Sequence, residues 1–265
     1  MDQKELIDKI TKEVMQRLNQ GVAAPAKNVQ DCAPALALMP NMSAADLAGF
    51  IDHTLLKPEA VVSQFEQLCN EAVNYKFKSV CVNSSWVPFV AKKLRGTSVK
   101  ICSVIGFPLG EMDTRSKAFE ARNAIGNGAE ELDMVINVGA LKSGNLKLVE
   151  EDIRAIKRAC RSTTVLKVIL ETGLLTDEEK ILACEISRKA GADFVKTSTG
   201  FSGSGATIHD VALMRRIVGP KMGVKASGGI RTFDQALALI RAGANRLGCG
   251  ASVDIMTGAE SKGTY

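Results

Sequence analysis

Two lysines stand near the ends of two short apolar segments, Asp193-Phe-Val-Lys196-Thr-Ser-Thr-Gly200 and Gly223-Val-Lys225-Ala-Ser-Gly-Gly229. A buried ammonium is unfavourable by several kcal/mol unless it is paired, and proteins relieve that cost by lowering the lysine pKa. Free lysine titrates near ~10.4, so the amine is scarce at neutral pH unless burial and a neighbouring cation favour it. An amine of that kind attacks carbonyl carbon and forms a Schiff base. The pair therefore points to carbonyl chemistry.

Further polar residues interrupt apolar runs. Asp133 lies in Glu131-Leu-Asp-Met-Val-Ile-Asn137, Asp52 and Thr54 in Ile51-Asp-His-Thr-Leu-Leu56, and Lys167 in Val165-Leu-Lys-Val-Ile-Leu-Glu171, where period-two alternation puts Lys167 and Glu171 on one face. One reading is a layer of inert ion pairs. The other is a reactive constellation, because three acids and three lysines are out of place where Val, Ile and Leu are usual.

The elements that must hold these residues repeat along the chain. Apolar runs at Phe50–Leu55, Ser79–Asn83, Lys100–Gly106, Glu131–Asn137, Val165–Glu171, Phe194–Thr199, Gly223–Ser227 and Arg246–Gly250 alternate with helical patterns. The helical patterns include Ser116–Asn127, Leu148–Cys160, Asp177–Ala190, Ile208–Val218 and Thr232–Ala242. Thr176-Asp-Glu-Glu, and Thr232 with Asp234 in its first turn, are N-terminal signals; Asn-Gly-Ala at 127–129 and Ala-Gly-Ala at 190–192 and 242–244 mark helix ends feeding the next strand. Eight such units predict an α/β fold, a (β/α)8 barrel. A doubly wound open sheet is the alternative, disfavoured by the strand count and by the lack of GxGxxG after the first strand.

Composition narrows the function. The 265-residue chain is 46% hydrophobic with 5% aromatics and a formal charge of +5, its basic residues scattered and not interleaved with aromatics, which argues against nucleic-acid binding. Seven cysteines (32, 69, 81, 102, 160, 184, 249) lack CxxC spacing and read as reduced thiols of a cytoplasmic protein. No apolar run approaches the ~18 residues of a membrane span. His53 and His209 are the two histidines, and no spacing suits zinc.

Seven segments together resemble the deoxyribose-phosphate aldolase family, class I aldolases with a TIM-barrel fold. They are Ile-Asp52-His-Thr-Leu-Leu-Lys-Pro, Ser-Val-Cys81-Val-Asn, Val-Ile-Gly-Phe107-Pro-Leu-Gly, Glu-Leu-Asp133-Met-Val-Ile-Asn, Leu-Lys167-Val-Ile-Leu-Glu-Thr-Gly, Phe-Val-Lys196-Thr-Ser-Thr-Gly and Lys225-Ala-Ser-Gly-Gly-Ile-Arg. The resemblance implies Lys196 as the Schiff-base lysine, Lys225 and Asp133 as its activating and proton-relay partners, and Lys167 as a supporting charge. It implies no cofactor and no metal, since the iminium is the electron sink. The implied reaction is cleavage of 2-deoxy-D-ribose 5-phosphate to D-glyceraldehyde 3-phosphate and acetaldehyde, and its reverse. Another Schiff-base barrel with a different aldehyde pair, and a barrel that only binds sugar phosphate, remain as alternatives. Asp52, Thr54, Cys81 and Phe107 join the expected substrate site. The phosphate is expected on the last three βα turns, at Thr199-Gly200, Gly228-Gly229 and Gly248 onward. There the chain departs from the family: Cys249-Gly250-Ala251 replaces adjacent small hydroxyl residues, and Ser252 comes one place later.

The ends add two expectations. Residues 3–18 carry Leu6, Ile7, Ile10, Val14, Met15 and Leu18 on one helical side, so residues 1–18 read as an amphipathic helix, 19–43 as an Ala/Pro-rich linker, 44–257 as the barrel and 258–265 as a tail. The helix on its tether resembles an encapsulation peptide, which implies a microcompartment shell protein as partner and a place inside a bacterial microcompartment. Docking on its own barrel or on a sister subunit of a homo-oligomer is the alternative. The tail is either disordered or folds Tyr265 over the barrel mouth to help proton transfer, as the resemblance implies.

Overall fold

The computed structural model describes residues 42–258. The candidate encapsulation helix, most of the linker and Tyr265 lie outside the described residues. A short helix α1 (Ala44–Ala48) starts with a capping box in which Ser43 and Asp46 satisfy each other's backbone donors. Eight strands follow: β1 (Ile51–Leu55), β2 (Ser79–Val82), β3 (Lys100–Ile105), β4 (Glu131–Val135), β5 (Val165–Ile169), β6 (Phe194–Lys196), β7 (Gly223–Ser227) and β8 (Arg246–Cys249). They close in sequence order into one barrel of parallel neighbours, with β8 returning to β1. The expected (β/α)8 barrel is therefore the fold, and the open sheet is excluded.

The helices between strands are α2 (Val62–Asn74), α3 (Val87–Lys93), α4 (Thr114–Gly126), α5 (Val138–Lys142), α6 (Leu146–Ala159), α7 (Asp177–Lys189), α8 (Ile208–Val218) and α9 (Phe233–Arg241), with α10 (Ser252–Thr257) after β8. Thr176 and Thr232 form capping boxes with Glu179 and Gln235. Gly128, Gly191 and Gly243 follow their helices at positive φ, the left-handed turn that a Cβ would strain. Among the described residues no helix is long and apolar enough to cross a membrane.

Strand alternation separates two interiors. One set of side chains, among them Val80, Leu132, Met134, Leu166, Val168, Val195, Val224 and Leu247, is buried in the main apolar core. The other set faces the barrel axis and is mostly polar: Asp52, Asp133, Lys167, Lys196 and Lys225 are each at most 1% exposed. One further buried ion pair ties the helix layer to the strand that carries Asp133. Lys117 Nζ on α4 donates to Asp152 Oδ2 on α6 at 2.6 Å and to the carbonyl of Val135 at 3.2 Å.

Candidate active site

Register brings the axial residues into one ring. Asp133 pairs with Lys167 across β4 and β5, Lys196 with Lys225 across β6 and β7, and Lys225 with Arg246 across β7 and β8. Asp133 is the hub. Its Oδ2 accepts from Lys196 Nζ at 2.8 Å and Lys225 Nζ at 2.7 Å, and its Oδ1 from Lys167 Nζ at 2.9 Å and Cys102 Sγ at 3.1 Å. The two lysines singled out first thus share one carboxylate oxygen. Asp52 completes the floor: Oδ2 accepts from Lys225 at 2.5 Å, Oδ1 from Ser79 Oγ at 2.6 Å and from Arg246 Nη1 at 2.7 Å. Glu131 bridges Lys167 at 2.6 Å and Arg246 at 2.8 Å.

The protonation states follow from competition between burial and charge. Burial opposes ionisation of Asp133, but the Lys167, Lys196 and Lys225 ammonium groups outweigh it and hold the carboxyl well below its usual range. Asp52 is lowered despite burial by Lys225, Arg246 and Lys167, and Glu131 despite burial by Lys167 and Arg246. Burial presses Lys225 and Lys167 towards neutrality, yet the carboxylates around them raise both above ordinary lysine. These groups are therefore charged at neutral pH, and Lys225 is a fixed cation beside Lys196. Cys81, also axial, is lowered, chiefly by its hydrogen bond with Cys102, against burial.

Beside the polar ring lies a small inner apolar cluster of Leu56, Cys81, Cys102 and Val104, against which Phe107 packs. Phe107 also meets Phe201 edge-on, with ring centroids 5.2 Å apart, so the loops after β3 and β6 touch. Thr54 sits on β1 and donates its hydroxyl to the carbonyl of Asp52 at 2.8 Å. Gly200, Gly228 and Gly229 all have positive φ in the turns after β6 and β7. Gly248 faces the axis from β8, where a Cβ would come within 2.8 Å of Ser227 Oγ and 3.0 Å of Lys225 Cε. Only a glycine lets that lysine and serine pack there. The departure after β8 has a structural consequence. Ser252 Oγ donates to the carbonyl of Cys249 at 2.9 Å and meets His53 Nδ1 at 2.9 Å, so it is committed behind the barrel wall and does not replace the missing hydroxyl residues.

Three features of the site differ from, or go beyond, the sequence reading. Glu171 does not pair with Lys167. It adopts a left-handed backbone (φ 59°) that turns its carboxylate towards the loop after β6, accepting from the Thr199 hydroxyl and backbone N–H and from Ser202 Oγ at 3.1 Å. Glu131 and Arg246 belong to the cluster instead. Period-two spacing from Asp133 marks Glu131 as axial, but Arg246 at the first position of its strand resembles an ordinary strand-end charge. Cys102, read as a buried thiol, is a donor to Asp133.

A family model described as DeoC/LacD family aldolase matches residues 39–256. Among curated relatives, the deoxyribose-phosphate aldolase of Streptococcus gordonii is 61% identical over 216 residues, covering 82% of this chain and 98% of that protein. That of Brevibacillus brevis is 58% identical over 215 residues, covering 81% and 97%. Among solved structures, a putative deoxyribose-phosphate aldolase from Coccidioides immitis superposes with a TM-score of 0.86 at 40% identity, covering 97% of this chain and 98% of that one. The tetrameric deoxyribose phosphate aldolase from Aeropyrum pernix gives 0.79 at 35%, covering 88% and 97%. With the model spanning the whole barrel, and relatives of this identity covering it end to end, the chain belongs to the DeoC/LacD aldolase family.

Proposed function

We propose that the protein is a Schiff-base aldolase that reversibly cleaves 2-deoxy-D-ribose 5-phosphate to D-glyceraldehyde 3-phosphate and acetaldehyde, with Lys196 as the nucleophile. The carrying observation is the charge count of the buried ring. Three carboxylates (Asp52, Glu131, Asp133) face four bases (Lys167, Lys196, Lys225, Arg246). The bases outnumber the carboxylates by one, and an unbalanced buried charge is strongly unfavourable. Among the described residues Lys196 reaches one carboxylate, Lys225 two and Lys167 three. Lys196 is therefore the least tightly paired of these lysines, and its amine is assigned as the nucleophile.

The chemistry follows. The Lys196 amine adds to C1 of the open sugar and water leaves, forming an iminium. The C3 hydroxyl gives its proton to the Asp133–Lys225 relay through a water, the C2–C3 bond breaks, and the bonding pair moves into the enamine. Glyceraldehyde 3-phosphate departs, the relay returns a proton to C2, and hydrolysis frees acetaldehyde and Lys196. Thr54, Cys81 and Phe107 line the site, and the turns at Thr199-Gly200, Gly228-Gly229 and Gly248 receive the phosphate, with Thr199 itself, whose N–H is held by Glu171, fixing the first turn. Borohydride reduction with deoxyribose 5-phosphate should leave a stable adduct at Lys196 in peptide mass spectra. Substrate binding with no adduct would indicate a sugar-phosphate-binding barrel, and an adduct with an unrelated aldehyde pair a different Schiff-base aldolase.

The reading extends to the termini and the assembly. The amphipathic pattern of residues 1–18 supports docking on a microcompartment shell protein, since a short helix needs a partner surface for its apolar stripe, and acetaldehyde is a volatile, reactive product that gains from confinement. Tyr265 is assigned to proton transfer at the mouth, and the chain to a homo-oligomer. Deleting residues 1–18 should release the enzyme from purified shells with kcat/KM unchanged; co-purification that survives the deletion would sink the docking role.

A further inference from the structure

Two buried hydroxyls one layer above the lysines have no place in the scheme so far. Ser227 follows Lys225 by two residues on β7, and same-face alternation sets it about 6–7 Å further towards the mouth than that lysine. Ser198 follows Lys196 by two residues just beyond the end of β6, where its Cβ stands 3.5 Å from the place a Gly228 side chain would take. Ser227 is axial: its Oγ and Lys225 Cε both crowd the position that a Gly248 side chain would fill. Mutual bonds fix the backbone around it, Thr197 Oγ1 donating to the Ser227 carbonyl at 3.0 Å and accepting from the Ser227 N–H at 3.0 Å. Ser198 and Ser227 are 0% and 1% exposed, and neither hydroxyl has a hydrogen-bond partner among the described residues.

A buried hydroxyl without a partner is unfavourable and is uncommon in native structures. Two of them, stacked over the reactive amines, call for a ligand that brings the partner. On the aldolase reading above, C1 of the sugar is held at Lys196 and the phosphate at the Gly200 and Gly228–Gly229 turns. The C3 oxygen faces Asp133 and Lys225, because it gains and loses the proton. The substrate group left between the lysines and the phosphate turns is the C4 hydroxyl, which takes no part in bond cleavage. We propose that Ser198 and Ser227 form a subsite for this hydroxyl, the α-hydroxyl of the acceptor aldehyde, and so select acceptors that carry it.

The test compares two acceptors in the synthetic direction, with acetaldehyde as donor and the full chain as enzyme: D-glyceraldehyde 3-phosphate, and 3-phosphooxypropanal, which lacks only the α-hydroxyl. S227A and S198A should each lower kcat/KM for the first about 10-fold and for the second less than about 2-fold. Their thermal midpoints should match or exceed wild type, since an unsatisfied buried group has been removed. Equal losses on both acceptors, or no loss on either, would overturn the subsite. Should S227A not fold, S198A carries the same comparison. If wild type forms no borohydride adduct on Lys196, the aldolase reading fails; if wild type is active and the variants do not discriminate, only the subsite fails.

Discussion

Replacing Lys196 by Leu should lower kcat for sugar-phosphate cleavage at least about 10,000-fold while leaving the barrel as stable as before. Loss of a nucleophile removes the covalent route altogether, and comparable losses elsewhere reach or exceed this size. The stability half is the more discriminating. Lys196 is fully buried and touches Asp133, so removing it would ordinarily break a buried pair and destabilise by several kcal/mol. Here three carboxylates remain with three bases, and Asp133 keeps Lys167 and Lys225. Leu has nearly the volume of the lysine stem and leaves no large cavity. Steady-state kinetics, borohydride trapping and chemical denaturation read the three consequences. A variant that retains turnover within about 10-fold of wild type would remove Lys196 from the mechanism; one that unfolds would refute the charge balance.

Asp133→Asn is expected to do the opposite to stability. The carboxylate is the shared partner of three lysines, and its loss leaves two carboxylates among four bases. Breaking a buried ion pair by removing one partner is unfavourable by about 3–5 kcal/mol, and the loss of the proton relay should lower kcat by about 100- to 10,000-fold. The pH dependence carries the same signature. The folded-state pKa values of Asp133, Asp52 and Glu131 are lowered, so the stability they contribute is fully present above their unfolded values near ~4 and is lost as pH falls below that. The acid limb of the wild-type stability curve should therefore be steep and become shallower in the variant. Denaturation midpoints across the acid range measure this. Equal stability and equal acid slopes in the two proteins would show that Asp133 is not the hub.

Much of the site was legible because a parallel strand buried on both faces is expected to be apolar throughout. Every charged residue inside such a run is therefore conspicuous, which is how Asp52, Asp133, Lys167, Lys196 and Lys225 stood out. The signal failed at run ends. Arg246 opens its strand, where a charge would normally reach solvent, and Glu171 closes one, where alternation was extrapolated past the point at which the backbone turns left-handed. The expected strand Phe194–Thr199 is Phe194–Lys196 in the structure, where the Thr197 side chain bonds to the Ser227 carbonyl and Thr199 to Glu171. In the sequence Ser198 and Ser227 are indistinguishable from the rest of their apolar runs, since nothing local marks a hydroxyl as lacking a partner.

The linear order of residues settled which element types form, how many, and on which face of each strand a polar side chain lies, because helix and strand periodicities are local properties of the backbone. Barrel closure settled the rest. Asp52 and Arg246, 194 positions apart, meet at 2.7 Å because β8 pairs with β1 and brings the charged side chains onto a common axis. Whether a given lysine holds its proton depends on how many carboxylates it meets there, and that number is a property of the closed ring alone.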